Sequence, residues 1–396
     1  MTIPTIALIS IILTIAILTL ALNHQNINAE KSAAIVIKEW NVPTQNSAPH
    51  DIVVDNKTGF VWFTEINSNK IGRFDPRSEQ FKEFNIPTPS SRPHGLVIDI
   101  DNNNIIWFTE MSGSKIGKLD SQTGQVVEFI TPTPNSGPHT PIMGKGVVWF
   151  TEIQASKIGR LNLTSGAIDE FPTHIKNSSP YGIITDAKGN AWFAELTGHK
   201  IGKVNATNGE ITEYPTPTGN SGTRRIATDS DGKLWFTEYN AAKIGSFDPK
   251  TEEFKEYDTI SQSSGPYAIW VDIYDNIWFS MTNSYKVGEF NQTSGRLQEY
   301  DLPTPGTIIR FIYADTKGNV WFANNNNNKI GVIKASGGDD LESPESVAHY
   351  GPQPSNEAIK QIQDQQNQIN NSIYMIGIGA GIAGVVAFLR LRKSNK

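Results

Sequence analysis

The sequence predicts an all-β protein, a seven-bladed β-propeller of four-stranded blades, and three observations carry that prediction. A Trp-Phe pair recurs at Trp62, Trp107, Trp149, Trp192, Trp235, Trp278 and Trp321, with spacings of 45, 42, 43, 43, 43 and 43 residues. A period near 43 marks a propeller or a solenoid. Each copy is made of short β-branched and aromatic runs broken by Gly, Asn, Asp and Pro, which excludes helical repeats. Finally, the seventh copy stops after Lys329-Ile330-Gly331-Val332-Ile333, and the strand it lacks stands at the other end of the chain. Residues 35–43 read Ile-Val-Ile-Lys-Glu-Trp-Asn-Val-Pro, like the fourth-strand phrases Phe81-Lys82-Glu83-Phe84-Asn85-Ile86-Pro87 and Phe254-Lys255-Glu256-Tyr257. This N-terminal strand should close the last blade and protect the edges of the ring. An open solenoid would need polar caps, and none is visible.

The third copy shows the unit. An inner strand is expected around Pro141–Met143, a second at Val147–Glu152 and a third at Lys157–Asn162. A Thr164-Ser165-Gly166 turn then leads to a fourth at Ala167–Phe171. Other copies end in a proline phrase, Ile86-Pro87-Thr88-Pro89 or Tyr214-Pro215-Thr216-Pro217. Proline cannot donate to a ladder, so it belongs at an outer edge or at the exit from a blade. Asp229-x-Asp231-Gly232 and Asp99-x-Asp101 resemble pieces of calcium loops but lack the rest, and read as tight turns.

The ring spans residues 35–334, and the two ends differ from it. Residues 1–29 hold the apolar run Ile6–Leu22 followed by Asn23-His24-Gln25-Asn26. This reads as a signal peptide cut after Ala29, or as an uncleaved N-terminal anchor. Residues 335–372 form an acidic, then Gln- and Asn-rich linker. Within it Ile359, Ile362, Gln366 and Ile369, continuing to Ile373, allow a short helix at coiled-coil spacing. Residues 373–391 read as a transmembrane helix, and 392–396 as a basic tail. Positive charge stays cytoplasmic, so the expectation is a single-pass protein of the cell membrane, its propeller extracellular and its C-terminus cytoplasmic. Gly377 and Gly381 give a Gly-x-x-x-Gly spacing that would let two such helices dimerise.

Composition excludes several chemistries. The net charge of −6 argues against a nucleic-acid partner. The absence of cysteine removes disulfides, thiolate metal sites and a cysteine nucleophile. There is no nucleophile elbow, phosphate loop or His-Glu-x-x-His. Asn-x-Ser/Thr sequons at Asn56, Asn162, Asn177, Asn205 and Asn291 fall in expected turns and suit an extracellular glycoprotein.

Propellers bind at the mouth of the central channel. The residues expected there, one per blade, are His50, His94, His139, Tyr181, Arg224, Tyr267 and Arg310, with a proline before five of them. Three of the seven histidines thus share one position in consecutive blades. They form either a cluster able to bind a metal or abstract a proton, or a turn copied by duplication. Arg224, Arg225 and Arg310 on the opposite arc could hold a carboxylate or phosphate. A second ring stands three residues after each Trp: Glu65, Glu110, Glu152, Glu195, Glu238, Met281 and Asn324. These carboxylates are candidate bases or metal ligands, or one side of a Glu–Lys ladder with Lys70, Lys115, Lys157, Lys200 and Lys243.

The phrases Trp62-Phe63-Thr64-Glu65 … Asn69-Lys70-Ile71-Gly72-Arg73 and Pro93-His94-Gly95-Leu96 resemble the virginiamycin B lyase, or streptogramin lyase, family over about residues 35–334. The resemblance implies a seven-bladed propeller that uses magnesium to open the ester of a cyclic depsipeptide by elimination. It also implies Pro-His opening the sixth blade, Glu-Pro-His opening the seventh, and a Glu after the seventh Trp-Phe. This chain instead has Pro266-Tyr267, Ile308-Ile309-Arg310 and Ala323-Asn324-Asn325 at those places. A similar arrangement recurs between other blades. There Arg92-Pro93-His94 precedes Gly137-Pro138-His139, and Glu152 follows Trp149.

Three functions remain open on these residues. The first is a membrane-anchored propeller binding an extracellular ligand or protein at its mouth through His50, Tyr181, Arg224, Tyr267 and Arg310. The second is a lyase or hydrolase with His94, His139 and Glu152 as catalytic groups, and Glu110 and Glu152 as ligands to magnesium or another divalent cation. The third is a surface-layer or adhesion component.

Overall fold

A computed structural model describes residues 35–99 and 105–335. The expected leader or anchor at 1–29, the linker beyond 335, the membrane helix at 373–391 with Gly377 and Gly381, and the tail at 392–396 lie outside the described residues. Among the described residues no helix is long and apolar enough to cross a membrane.

The chain folds into seven four-stranded antiparallel sheets, each ordered from inner to outer strand. In the third blade these are Pro138–Gly144, Val147–Glu152, Lys157–Asn162 and Ile168–Pro172. The inner strand begins three residues before its expected start. Its pairing breaks between Pro138, opposite Glu152, and Pro141, opposite Phe150. A bulge therefore hides the strand's true start, and the same irregularity recurs in every blade. The closing strand, Ile35–Asn41, pairs with Lys329–Ala335 from Ile35 opposite Ala335 to Asn41 opposite Lys329. The last blade is completed as its sequence requires.

The repeated motif explains how the blades cohere. Successive strand residues face opposite sides, so Trp and Phe of one pair point toward different neighbours. Trp321 packs with Phe63 and Phe74 of the first blade, Trp62 with Phe108 of the second, and Trp107 with Phe150 of the third. Trp149 then meets Phe193, Trp192 meets Phe236, Trp235 meets Phe279 and Trp278 meets Phe322, so all seven junctions share one design. Each buried aromatic of this kind contributes about 1.5–3 kcal/mol. The glycine of Lys-Ile-Gly lies opposite the Phe. Phe150 pairs with Gly159, where an added Cβ would stand 2.1 Å from the ring.

The lysine of the motif behaves differently from the expected ladder. Lys70 is in backbone register with Glu65, but its ammonium turns to Glu83 of the fourth strand at 2.7 Å. The equivalent pairs run round the ring, Lys115–Glu128, Lys157–Glu170, Lys200–Glu213, Lys243–Glu256, Lys286–Glu299 and Lys329–Glu39. Each fourth-strand carboxylate also holds the link arriving from the preceding blade. Glu128 accepts from Thr88 N at 3.0 Å and Thr88 Oγ1 at 2.8 Å, fixing the Pro87-Thr88-Pro89 phrase. At the closure Glu39 accepts from the hydroxyl of Thr304, so an N-terminal residue fills the same place.

Asp229 caps its turn, accepting from Asp231 N at 3.1 Å, Lys233 N at 2.9 Å and Trp235 Nε1 at 2.9 Å, in keeping with a turn rather than a calcium loop. The sequon asparagines are less uniformly free than expected. Asn162 and Asn177 are exposed, but Asn162 and Asn291 end strands, and Asn56 Oδ1 accepts from Thr316 N at 3.1 Å.

Gly159→Ala should lower the unfolding free energy by about 1–3 kcal/mol through overpacking against Phe150. Adding Phe150→Leu should restore part of that loss. A neutral Gly159→Ala in denaturant titration would count against the assigned contact.

Candidate site at the channel mouth

The bulge at the head of the inner strand spans two consecutive residues in six blades and Arg310 alone in the seventh, and in five blades a Thr or Ser hydroxyl fixes it. Thr64 Oγ1 accepts from Asp51 N at 3.0 Å and donates to the carbonyl of His94 in the next blade at 2.8 Å. Thr109 links Gly95 N to the His139 carbonyl, and Thr151 links Thr140 N to the Tyr181 carbonyl. Thr237 joins Arg225 N to the Tyr267 carbonyl, and Ser280 joins Ala268 N to the Ile309 carbonyl. The blades approach so closely here that a Cβ on Gly95 would lie 2.6 Å from the His139 carbonyl oxygen.

Two layers result. The outer layer holds the seven residues expected from the sequence. His50 and His94 have ring centroids 3.9 Å apart, His94 and His139 3.6 Å, and His139 and Tyr181 4.0 Å. The Tyr181 and Tyr267 hydroxyls are hydrogen-bonded to each other. The three imidazoles do converge, but as a buried stack. Burial holds all three pKa values well below the usual 6.5, and cationic neighbours reinforce it: Arg225 for all three, with Arg310 and Arg92 near His50. At neutral pH the stack is uncharged.

The inner layer reads Asp51, Gly95, Thr140, Gly182, Arg225, Ala268 and Phe311. Arg225 crosses from the fifth blade, donating from Nη2 to Asp51 Oδ1 at 2.7 Å and from Nη1 to Asp51 Oδ2 at 3.3 Å and Thr140 Oγ1 at 3.0 Å. Gly95, Gly182 and Ala268 are small enough to leave this span open. His50 Nδ1 donates to the same Asp51 oxygen at 2.9 Å. Burial pushes the Asp51 carboxyl up and Arg225 pulls it back. Removing either partner would leave a buried charge alone, the costly case for such pairs. Arg225, grouped in the sequence with the anion-binding arginines, is therefore committed to Asp51.

Sequence reasoning passed over Asp51 and Thr140. The available signal was the residue after each channel-facing position, where one long cation and one short acid stand among two glycines and an alanine.

Arg224 and Arg310 remain at the mouth, half-buried, with guanidinium carbons 4.9 and 4.8 Å from the Tyr267 ring centroid. Arg224 also lies 4.1 Å from the Tyr239 ring centroid, and its Nε is buried without a partner. Neither guanidinium has an ion pair among the described residues.

The donor set suits magnesium poorly. His50, Asp51 and His94 offer ligand atoms within 4.8 Å of one another. Both Asp51 oxygens, however, already accept from Arg225, and magnesium prefers several oxygen ligands to two imidazoles. Glu110 and Glu152 do not belong to this group. Glu152 pairs in register with Pro138 beside His139, its carboxyl buried near Ser136 and Glu170.

Glu65, Glu110, Glu152, Glu195 and Glu238 are fully buried. Burial raises their pKa values to about 7, 8, 7, 7 and 8, helped in each by the adjacent fourth-strand carboxylate.

A sign follows for stability. These carboxyls keep their protons in the fold after the unfolded chain has lost them near 4.5. Their contribution is full below that value and is lost as pH rises through 7 to 8. The buried histidines act oppositely, and only below about 6.5. Between pH 6.5 and 8 the melting temperature should therefore fall, and paired Glu110→Gln and Glu238→Gln substitutions should flatten the fall. A melting temperature that rises across this interval would contradict the assignment.

With this geometry in hand, comparison with known proteins is specific. The sequence profile of the virginiamycin B lyase family matches residues 17–146 and 206–342. A solved streptogramin B lyase is 34% identical, covering 76% of this chain and 97% of its own, with a TM-score of 0.71. The virginiamycin B lyase of Staphylococcus aureus is 29% identical over 76% of this chain and 99% of its own, also at 0.71. A catalytically inactive variant of that enzyme, solved with quinupristin, matches at 28% identity over 76% and 99% of the two chains and a TM-score of 0.70. A search of curated proteins finds no match. The chain belongs to the virginiamycin B lyase family.

Proposed function

We propose that this protein is a binding propeller held at the outer face of a membrane, whose channel mouth takes a ligand carrying an anionic group. The observation that carries this reading is the pair Arg224 and Arg310. Both are without a carboxylate partner among the described residues, and both flank Tyr267, so they lie within about 10 Å of each other. Tyr267 and Arg310 occupy the positions where the family pattern has its two histidines. A planar aromatic ring flanked by two forked cations fits a carboxylate or phosphate next to an apolar group. The apolar segment at 373–391 and its basic tail support the membrane placement.

Lyase chemistry is the second reading, favoured by family membership and by the buried carboxyl of Glu152 beside His139. In it Glu152 would exchange the proton, since its raised pKa of about 7 suits a general acid or base at neutral pH.

Two measurements separate the readings. Incubation with quinupristin and magnesium should leave the cyclic depsipeptide unopened, as judged by mass spectrometry, and ring opening abolished by Glu152→Gln would favour the lyase. In a binding titration, N-acetyl-Tyr-Ala should bind more tightly as the free carboxylate than as the amide. Arg224→Gln or Arg310→Gln should cut the carboxylate's affinity about 10- to 100-fold, one charge-assisted hydrogen-bond pair. Equal binding of acid and amide would refute the anion site.

A further inference from the structure

The seven blades serve as controls for one another, and one blade departs from the rest at the end of the ring remote from the mouth. In each blade the Trp of the second strand, a third-strand residue and a fourth-strand residue form one row across the face turned to the next blade. In the third blade the row pairs Arg160 with Asp169, and Arg160 Nη2 donates to Asp169 Oδ2 at 2.7 Å. Its guanidinium lies 5.3 Å from the Trp149 ring centroid, and Nη1 donates to the Ala206 carbonyl at 2.9 Å, so the cation is fully compensated. The other rows hold at most one cation: Lys118 opposite Val127, Lys203 opposite Thr212, Lys255 opposite Ser246, Lys38 opposite Val332, and none at Glu289 opposite Gln298.

The first blade sets Arg73 directly opposite Lys82. Like charges facing across a strand pair destabilise the sheet. Neither side chain has an ion pair or hydrogen bond to a carboxylate among the described residues. Arg73 lies 4.3 Å from the Phe60 ring centroid and Lys82 4.6 Å from that of Phe84. Among the described residues, Asp75 and Asp55 nearby are already engaged. Asp75 pairs with Arg77 at 3.1 Å. Asp55 accepts from Lys57 N at 2.9 Å and Thr58 Oγ1 at 2.6 Å in its own turn. Here, between the first and second blades, lies a cleft of about 230 Å³ with Phe60, Trp62, Arg73, Lys82 and Ile106 in its wall. Two cations without a carboxylate partner among the described residues, over an aromatic floor in a cavity this small, describe a receptor for a small dianion with an apolar or planar portion.

We infer that the cleft between the first and second blades is a second anion site, distinct from the channel mouth, which takes a phosphate monoester through Arg73 and Lys82 with its organic group against Phe60 and Trp62.

The third blade supplies the test. Lys82→Asp copies its row and gives Arg73 an internal partner. The full-length protein, in detergent, is titrated with phenyl phosphate by calorimetry. The wild type should bind saturably. Lys82→Asp should weaken binding at least tenfold without lowering the melting temperature, Arg73→Gln should weaken it similarly, and Arg224→Gln at the mouth should not change it. If Lys82→Asp fails to fold, Lys82→Met carries the same comparison. Dihexanoyl phosphatidic acid, used below its micelle concentration, distinguishes a lipid-borne phosphate from a soluble one by which of the two probes binds more tightly. No saturable binding of either probe overturns the inference. So does binding unmoved by Arg73→Gln and the Lys82 variant, or binding lost in Arg224→Gln instead. The last outcome would leave the mouth as an anion site and remove this one.

Discussion

The contact on which the whole molecule depends is the Phe of each blade lying over the glycine opposite it. Phe63 over Gly72 leaves no room for a Cβ, since one built there would be 2.2 Å from the ring. The flattened Phe fills one face of the blade, the adjacent Trp must then fill the other, and each blade becomes a spacer with two complementary sides. Repeated seven times, this geometry allows closure only if the last blade finds a fourth strand. Ile35–Asn41 supplies it, together with Glu39 for Lys329.

The same regularity sets the limits of the functional centre. Every inner strand begins with a bulge and, in five blades, a Thr or Ser bridging to the next blade's carbonyl. The backbone thus delivers fourteen channel-facing positions in fixed places, and function lies in what occupies them. A neutral stack of His50, His94 and His139 covers an Asp51–Arg225 pair. A carboxylate that would otherwise serve as ligand or base is held by a guanidinium from across the ring. Arg224 and Arg310, on the arc where the family pattern carries its histidines, have no ion pair among the described residues. The family's fold is present with other residues at these mouth positions, and fold alone does not fix the chemistry of a site.

Much of this was legible in the sequence. The limits of the second and third strands of the third blade, the closing strand and the seven mouth positions all follow from the repeat, because period and pleat are local properties. Three things were not legible. The bulge hid the inner strand's start, since an extra residue leaves no compositional mark at Pro138–Pro141. The partner of Lys70 is Glu83 rather than Glu65, because side-chain direction beyond the backbone register depends on the link from the preceding blade. Arg225 looked like a companion of Arg224, and its bond to Asp51 spans 174 positions of sequence, which only ring closure brings together.

The central claim is that the imidazole stack and the Asp51–Arg225 pair are one buried unit, its imidazoles uncharged at neutral pH and its carboxylate engaged by Arg225 rather than by a metal. Histidine side-chain NMR across a pH titration of the purified protein, with and without added magnesium or zinc, tests it most directly. The account predicts that three imidazoles stay neutral well below pH 6.5, the ordinary histidine value, with signals unmoved by either metal. Imidazoles that titrate near 6.5, or that shift stoichiometrically with metal, would contradict it.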